Sequence, residues 1–233
     1  MLAQLKSATL LGLSVSMVDI EVDAASGLPS WEIVGLGDTA VKESRERVRT
    51  AIKNAGFEVP PRRIVINLAP AYLRKEGPSF DLAIAVAILT VTEQIRCDSL
   101  EEYILLGELG LDGSLRPVRG VLPISLEYSQ SRYKLLVPAS NEEESAIGGT
   151  VTYGFRHLKD VVDFLEHPES YTAVQTVLPD FSTLSAAKTA HDFSQIKGQS
   201  EAKRALEIAA AGNHNILMLC ISALVREIAK LCS

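Results

Sequence analysis

The sequence contains few cysteines, few aromatic residues and no long apolar run. Three of its 233 residues are cysteine and 6% are aromatic. An odd number of cysteines with no C-x-x-C pair disfavours both a secreted disulfide framework and a zinc site. The longest uncharged apolar run, residues 82–91, is about half as long as a membrane-spanning helix. These absences predict a protein of the reducing cytoplasm without a membrane anchor.

Composition and charge narrow the classes further. The chain is 47% hydrophobic and 22% charged, with a net charge of −6. A chain of this size buries roughly 70% of its unfolded surface and needs no disulfide or metal to fold. The negative charge disfavours a general nucleic-acid coat protein but permits a local basic patch. The length fits one domain of about 100–200 residues plus a fragment.

The first third of the chain carries strand and helix patterns. Residues 14–22 alternate in polarity, and a Gly-Leu-Pro-Ser turn separates them from WEIVGL, which predicts a β-hairpin. Asp38 is the predicted N-cap of a helix that ends near Gly56, with Val41, Val48 and Ile52 near one face. The segment RRIVINLAP then predicts a buried strand.

The remainder alternates between helices and strands. Residues 80–91 are apolar on nearly every face, as in a helix buried against a sheet. A strand is predicted at 103–106, and Asp112-Gly113 predicts a tight hairpin turn. The pattern continues with helices at 121–130, 141–147 and 159–166 and strands at 134–137 and 150–155. This order predicts an α/β fold that follows a β-rich start.

Several long runs resemble a known family. The segments WEIVGLGDTAVKESRERVRTAIKNAG, RRIVINLAPAYLRKEGPSFDLAIAVAIL and GELGLDGSLRPVRGVLPI closely resemble the N-terminal domain of bacterial Mg-chelatase-like AAA+ proteins of the ComM/YifB type. That resemblance implies an α/β (α+β mixed sheet) fold, similar to ribosomal protein S5 domain 2 and to the proteolytic domain of Lon proteases. It also implies a link to DNA branch migration during natural transformation.

The same resemblance divides the chain. It implies a ChlI-like domain at 1–168, a linker at 169–190 and, from DFSQIKGQSEAKRALEIAAAGNHNILM onward, the incomplete start of an AAA+ ATPase module at 191–233. The sequence lacks the G-x-x-x-x-G-K-[ST] loop that holds phosphates and magnesium. We therefore expect a truncated accessory domain without ATPase activity. Full-length relatives would use ATP and Mg²⁺ and assemble with other AAA+ subunits, whereas no cofactor is expected in this chain.

Ser79 is the first candidate site residue. The loop RKEGPS is similar to the loop that presents the nucleophilic serine of Lon, whose partner is a lysine. Alignment from Gly107 puts Leu122 where that lysine belongs, with Arg119 as the nearby cation, and an arginine cannot act as the base. Lys75 and Lys134 would need a rearranged geometry. Capping of the helix at 80–91 is the favoured role for Ser79, with peptidase chemistry as the alternative.

A glycine-rich turn and a basic stripe are the other candidates. The residues G-L-G-D-T-A at 35–40 match a dinucleotide fingerprint, but the following strand lacks its acidic residue, so a tight strand-to-helix turn is favoured. A stripe at i, i+4 and i+8, followed by two arginines, predicts either DNA phosphate contacts, as in a stand-alone DNA-binding module, or a solvated, salt-bridged surface. Its members are Arg45, Arg49, Lys53, Arg62 and Arg63. The four scattered histidines predict no metal site.

Overall fold

The computed structural model describes residues 2–12, 14–35, 37–97, 99–174 and 198–218. The chain divides into two compact units, Met1–Leu178 and Pro179–Ser233. Most of the predicted linker, residues 175–190, lies outside the described residues, as does an apolar segment at 221–231 for which the sequence predicts a helix.

One mixed sheet organises the described part of the first unit. Seven strands form it in the order β3-β4-β2-β1-β5-β8-β9, and β6 and β7 form a separate antiparallel pair. Their bounds are β1 Leu2–Leu11, β2 Ser14–Ala25, β3 Ser30–Val34, β4 Arg63–Ala69, β5 Tyr103–Leu105, β6 Glu108–Leu109, β7 Leu115–Arg116, β8 Lys134–Pro138 and β9 Thr152–Phe155. The predicted turn at Asp112-Gly113 is confirmed, because it connects β6 to β7.

The predicted hairpin between residues 14–22 and WEIVGL is wrong. β2 pairs antiparallel with the whole length of β1 and, on its other side, with β4. β3 pairs in parallel with β4 and therefore lies at the edge of the sheet. The N-terminal segment forms a strand whose Ala3 and Leu5 are buried, so it takes the position beside β2 that the hairpin would have required.

Five helices accompany the sheet in the described part of the first unit, close to their predicted positions. They are α1 Thr39–Asn54, α2 Asp81–Val91, α3 Val121–Tyr128, α4 Glu142–Gly148 and α5 Leu158–Glu166. α2 is the central helix: all of its residues except Thr90 are buried. Continuous apolar sequence of this kind is stable only where a helix is enclosed by other elements.

The sheet is covered on both faces. The larger hydrophobic cluster joins α1, α2 and α5 to one face, and the predicted positions Val41, Val48 and Ile52 of α1 all belong to it. A smaller cluster joins Val121 and Ile124 of α3 to the opposite face. α2 precedes β5 and α3 follows it, so the chain changes face at β5.

In the second unit, the described residues form one helix, α6 (Ser200–Gly212). Asn213 ends it with a left-handed backbone, φ 51°. The family resemblance implies a strand at 215–219, but residues 215–218 are not in a strand and residue 219 lies outside the described residues. Across both units, none of the described helices has the length and apolarity to cross a membrane.

Candidate functional site: a pocket at the start of the central helix

The carboxyl ends of β1 and β5 lie side by side, and the chain leaves these two strands towards opposite sides of the sheet. The two strands are parallel neighbours, paired at Lys6 and Ile104. From β1 the chain returns to β2 on one side, whereas from β5 it crosses through α3 to β8 on the other side. In open α/β sheets, the crevice at such a switch point is the usual place for a ligand.

A pocket of about 140 Å³ lies at this place. Its lining comes from the end of β1, the residue after β5, the loop before α2, and α3 with the segment that leads into it. The lining residues are Ala8, Thr9, Leu10, Glu76, Ser79, Leu106, Arg119 and Ile124. The structure therefore brings together Ser79 and Arg119, which are 40 positions apart in the sequence. Ser79 is half-buried and Arg119 is exposed.

The predicted capping role of Ser79 is wrong. The N-cap position of α2 is Phe80, and no side chain makes a capping hydrogen bond there. The first helical N–H groups donate to backbone oxygens instead: Asp81 to Pro78 (3.1 Å) and Leu82 to Gly107 (3.1 Å). The carbonyl of Ser79 accepts from Gly107 N–H (2.9 Å), which fixes the loop beside the end of β5. Since the backbone completes the helix end, the Ser79 hydroxyl is left for the pocket.

The candidate lysines of a Ser-Lys dyad lie elsewhere. Lys75 is fully buried, and its Nζ donates to the carbonyls of Gly35 (2.9 Å) and Pro70. Burial lowers the pKa of Lys75 below its ordinary value. Lys134 Nζ donates to Glu102 Oε2 at 3.0 Å. Among the residues that line the Ser79 pocket, the one cation is Arg119.

The turn at residues 35–40 has the geometry of a structural turn. Gly35 has φ +104°, and a Cβ atom there would lie 2.2 Å from the carbonyl oxygen of Leu68. The carboxylate of Asp38 accepts from Val41 N–H (2.8 Å), which confirms it as the N-cap of α1, and from Gly77 N–H (3.1 Å). It thus occupies the helix N-terminus at which a dinucleotide would place its pyrophosphate.

The basic stripe of α1 lines a second, open groove. This groove measures about 1280 Å³ and lies between α1, the edge strand β3 and residues 57–61. Arg45, Arg49 and Lys53 all line it and are exposed, as their helical spacing predicts. Arg62 and Arg63 are outside this lining, and Arg63 pairs with Glu32 at 3.4 Å.

Acidic residues share the groove with the stripe. Three glutamates line it, the same number as the basic residues: Glu32, Glu46 and Glu58. Arg45 Nε lies 3.1 Å from Glu46 Oε1. The groove therefore has mixed charge, and phosphate contacts would be limited to the three basic side chains of the helix face.

His157 has a structural role that its sequence position did not reveal. Its Nδ1 accepts from Lys159 N–H (3.1 Å) at the start of α5, and Asp160 completes a capping box. Its Nε2 therefore carries the proton and donates to the carbonyl of Asp112 (2.9 Å) in the β6–β7 turn. Within the described ranges, no three His, Cys, Asp or Glu side chains are grouped as metal ligands.

Comparison with known proteins places this fold in a family. The family model "Subunit ChlI of Mg-chelatase" matches residues 20–141, and "Magnesium chelatase, subunit ChlI" matches residues 192–223. Both matches are to Mg-chelatase subunit families, and the first match covers more than half of this chain.

Individual relatives specify the type. Uncharacterized protein YifB of Escherichia coli is 43% identical over 210 residues, which cover 90% of this chain and 40% of that protein. Competence protein ComM of Haemophilus influenzae is 40% identical over 219 residues, which cover 94% of this chain and 43% of ComM. The chain belongs to the ChlI family of Mg-chelatase-like proteins, and within it to the ComM/YifB type.

Two further findings qualify the match. Lon protease 2 of Bacillus subtilis is 25% identical over 167 residues, covering 64% of this chain and 30% of that protein, in keeping with the predicted Lon-like fold. The chain spans 40 to 43% of the length of YifB and ComM. Its 233 residues include no Walker A loop, so no residue here is assigned to ATP or magnesium.

Proposed function

We propose that this chain acts as the N-terminal accessory domain of a ComM-type AAA+ protein and takes part in DNA branch migration during natural transformation. The observation that carries the proposal is the 40% identity to Competence protein ComM over 94% of the chain. The proposed partners are other AAA+ subunits and DNA, and the proposed compartment is the cytoplasm.

A domain exchange in Haemophilus influenzae tests this role. Residues 2–174 of the chain would replace the matching segment of ComM, and transformation frequency with linear DNA would be compared with wild type and with a ComM deletion. We expect the chimera to transform close to the wild-type frequency. A control chimera with Gly35→Ala should lose this function, because its Cβ meets the Leu68 backbone. A stable chimera that transforms no better than the deletion would contradict the proposal.

We further propose that the basic stripe of α1 contacts DNA. Its support is geometric: Arg45, Arg49 and Lys53 lie exposed along one groove. Each phosphate contact on duplex DNA adds about −0.9 to the slope of log K against log salt. Three contacts therefore predict a loss of affinity of roughly 40-fold between 50 and 200 mM salt.

Fluorescence anisotropy with a labelled four-way DNA junction measures this contact. Replacement of both Arg45 and Arg49 by Gln should reduce the slope of log K against log salt by the amount expected for about two phosphate contacts. The matched control replaces the exposed arginines Arg116 and Arg132, which lie outside the groove, by Gln. Salt-insensitive binding, or equal losses in both double variants, would show that the stripe does not contact DNA.

A further inference from the structure

Three hydrogen-bond donors without partners line the pocket at the start of α2. They are the hydroxyls of Thr9 and Ser79 and the guanidinium of Arg119. Thr9 is only 8% exposed, yet neither its hydroxyl nor the other two groups has a hydrogen-bond or ion-pair partner among the described residues. Since none of the buried side-chain nitrogen and oxygen atoms in the described residues lacks a partner, the Thr9 hydroxyl is open to the pocket, where it can bond a ligand.

The rest of the wall is apolar. Its side chains come from both sides of the β1–β5 junction: Ala8, Leu10, Leu106 and Ile124. A volume of about 140 Å³ is below the roughly 300–1,000 Å³ of sites for drug-sized ligands. The pocket therefore has room for one small side chain and one charged group.

The charge of the pocket selects a monoanion. A guanidinium binds a carboxylate through two parallel N–H···O hydrogen bonds. Glu76, also in the lining, is paired with Arg74 (3.0 Å), so the single positive charge of Arg119 is left to match a single negative charge. A ligand with two acceptor oxygens and a short apolar side chain can bond the donors through its oxygens and pack its side chain against the apolar wall.

We infer that this pocket binds the C-terminal carboxylate of a peptide whose last residue is small and apolar, such as alanine. Arg119 and the Thr9 and Ser79 hydroxyls hold the carboxylate, and the aliphatic wall receives the terminal side chain. Capture of a chain terminus in this way is a known mode of peptide recognition. The inference does not depend on the ComM-type role.

Titration of the full chain with N-acetyl-Gly-Ala-Ala tests this site. Binding is followed by ¹⁵N–¹H NMR shifts of residues around the pocket and by calorimetry. The free-carboxylate peptide should bind at least about tenfold more tightly than its C-terminal amide, since the amide cannot form the charge-assisted hydrogen bonds with Arg119. Equal binding of acid and amide would overturn the inference, and this comparison needs no variant.

Variants then assign the binding to the pocket. Arg119→Gln should weaken the acid peptide about tenfold, and the near-isosteric Thr9→Val should weaken it severalfold. Arg116→Gln, three residues earlier and outside the lining, is the control and should bind as wild type. Equal affinities of Arg119→Gln and Arg116→Gln would overturn the inference. Displacement of the peptide by inorganic phosphate at equal concentration would also overturn it, because the pocket would then be a general anion site.

Discussion

Arg47 and Asp81 form an ion pair that joins α1 to the first residue of the central helix α2. Arg47 Nε lies 2.9 Å from Asp81 Oδ2, and Arg47 Nη2 lies 3.2 Å from Oδ1. The Asp81 side chain is completely buried, and Leu109 N–H also donates to it (3.3 Å). Burial raises the pKa of Asp81, while the hydrogen bond from Arg47 lowers it. The pair therefore gives the buried carboxylate an oppositely charged partner directly after the loop that lines the pocket.

Arg47→Leu should destabilise the fold by about 3–5 kcal/mol, because it leaves the Asp81 charge buried without its oppositely charged partner. The variant also removes an interaction that lowers the Asp81 pKa, so that pKa rises further. A raised folded-state pKa gives stability that is present at low pH and is lost as pH rises through it. The loss relative to wild type should thus be smaller at pH 5 than at pH 8.

Urea unfolding at both pH values measures this effect. Arg45→Leu, on the exposed side of the same helix, is the control, and its free energy of unfolding should change by less than about 0.5 kcal/mol. A loss in Arg47→Leu that is the same at both pH values would show that Asp81 does not titrate as described.

Asp38→Ala should cost about 1–2 kcal/mol of unfolding free energy. It removes the carboxylate that accepts hydrogen bonds from Val41 N–H at the start of α1 and from Gly77 N–H in the loop before α2. Asp38→Asn keeps one acceptor oxygen and should cost less. If thermal or urea unfolding gave equal losses for the two variants, the hydrogen bonds of the carboxylate would not be the stabilising interaction.

Lys75→Met should cost about 1–3 kcal/mol, since the carbonyls of Gly35 and Pro70 lose their buried donor. Burial lowers the Lys75 pKa below its ordinary 10.5, so the unfolded chain binds the proton more tightly than the folded chain. Stability from this group is therefore gained as pH rises from the folded-state pKa towards 10.5. Wild type should gain stability relative to Lys75→Met between pH 8 and 10, and a constant difference over that range would contradict this account.

Gly35→Ala should be far more destabilising than Gly77→Ala. Both residues have positive φ, but the added Cβ would lie 2.2 Å from the Leu68 carbonyl oxygen at Gly35 and meets nothing within 4 Å at Gly77. Gly77→Ala should cost only the backbone strain of about 1–2 kcal/mol. Soluble yield and melting temperature of the two variants provide the comparison, and equal losses would contradict the close approach of Gly35 to β4.

The purified chain should not cleave an unfolded protein such as casein. Lys75 and Lys134, the candidate bases for Ser79, are bonded to groups outside its pocket, and Arg119 cannot accept the proton. Fluorescent casein digestion by wild type and by Ser79→Ala measures this. Cleavage by wild type that Ser79→Ala abolishes would establish the peptidase alternative.

Local patterns account for most of the correctly predicted elements. α1 was located by its apolar spacing and by Asp38, because a short polar side chain before a helix satisfies free N–H groups wherever it occurs. α2 was located by its continuous apolar sequence. Strand partners were not predictable in the same way, since β2 has edges that β1, β3 or β4 could each have paired with.

The pocket shows the same division between local and long-range information. The resemblance to Lon points to Ser79 and Arg119, but not to their meeting in one pocket. The preference of serine for helix N-termini predicts the wrong role for Ser79, because the carbonyl that accepts from Leu82 N–H belongs to Gly107, which is distant in the sequence. Thr9 had no sequence signal, because a threonine in a strand is ordinary. The burial of Lys75 also has no local sequence signal, since its carbonyl partners are up to 40 residues away in the sequence.

The family, the main helices and the basic face of α1 can be read from the amino-acid sequence, because these depend on residue identity and on spacing within one element. The order of the strands, the inward position of Arg47 beside Asp81, and the meeting of Thr9, Ser79 and Arg119 in one pocket are visible only in the folded chain. Those features are contacts between elements that are distant in the sequence. Such contacts are set by the connections of the chain and the packing of the whole core rather than by any local run of residues.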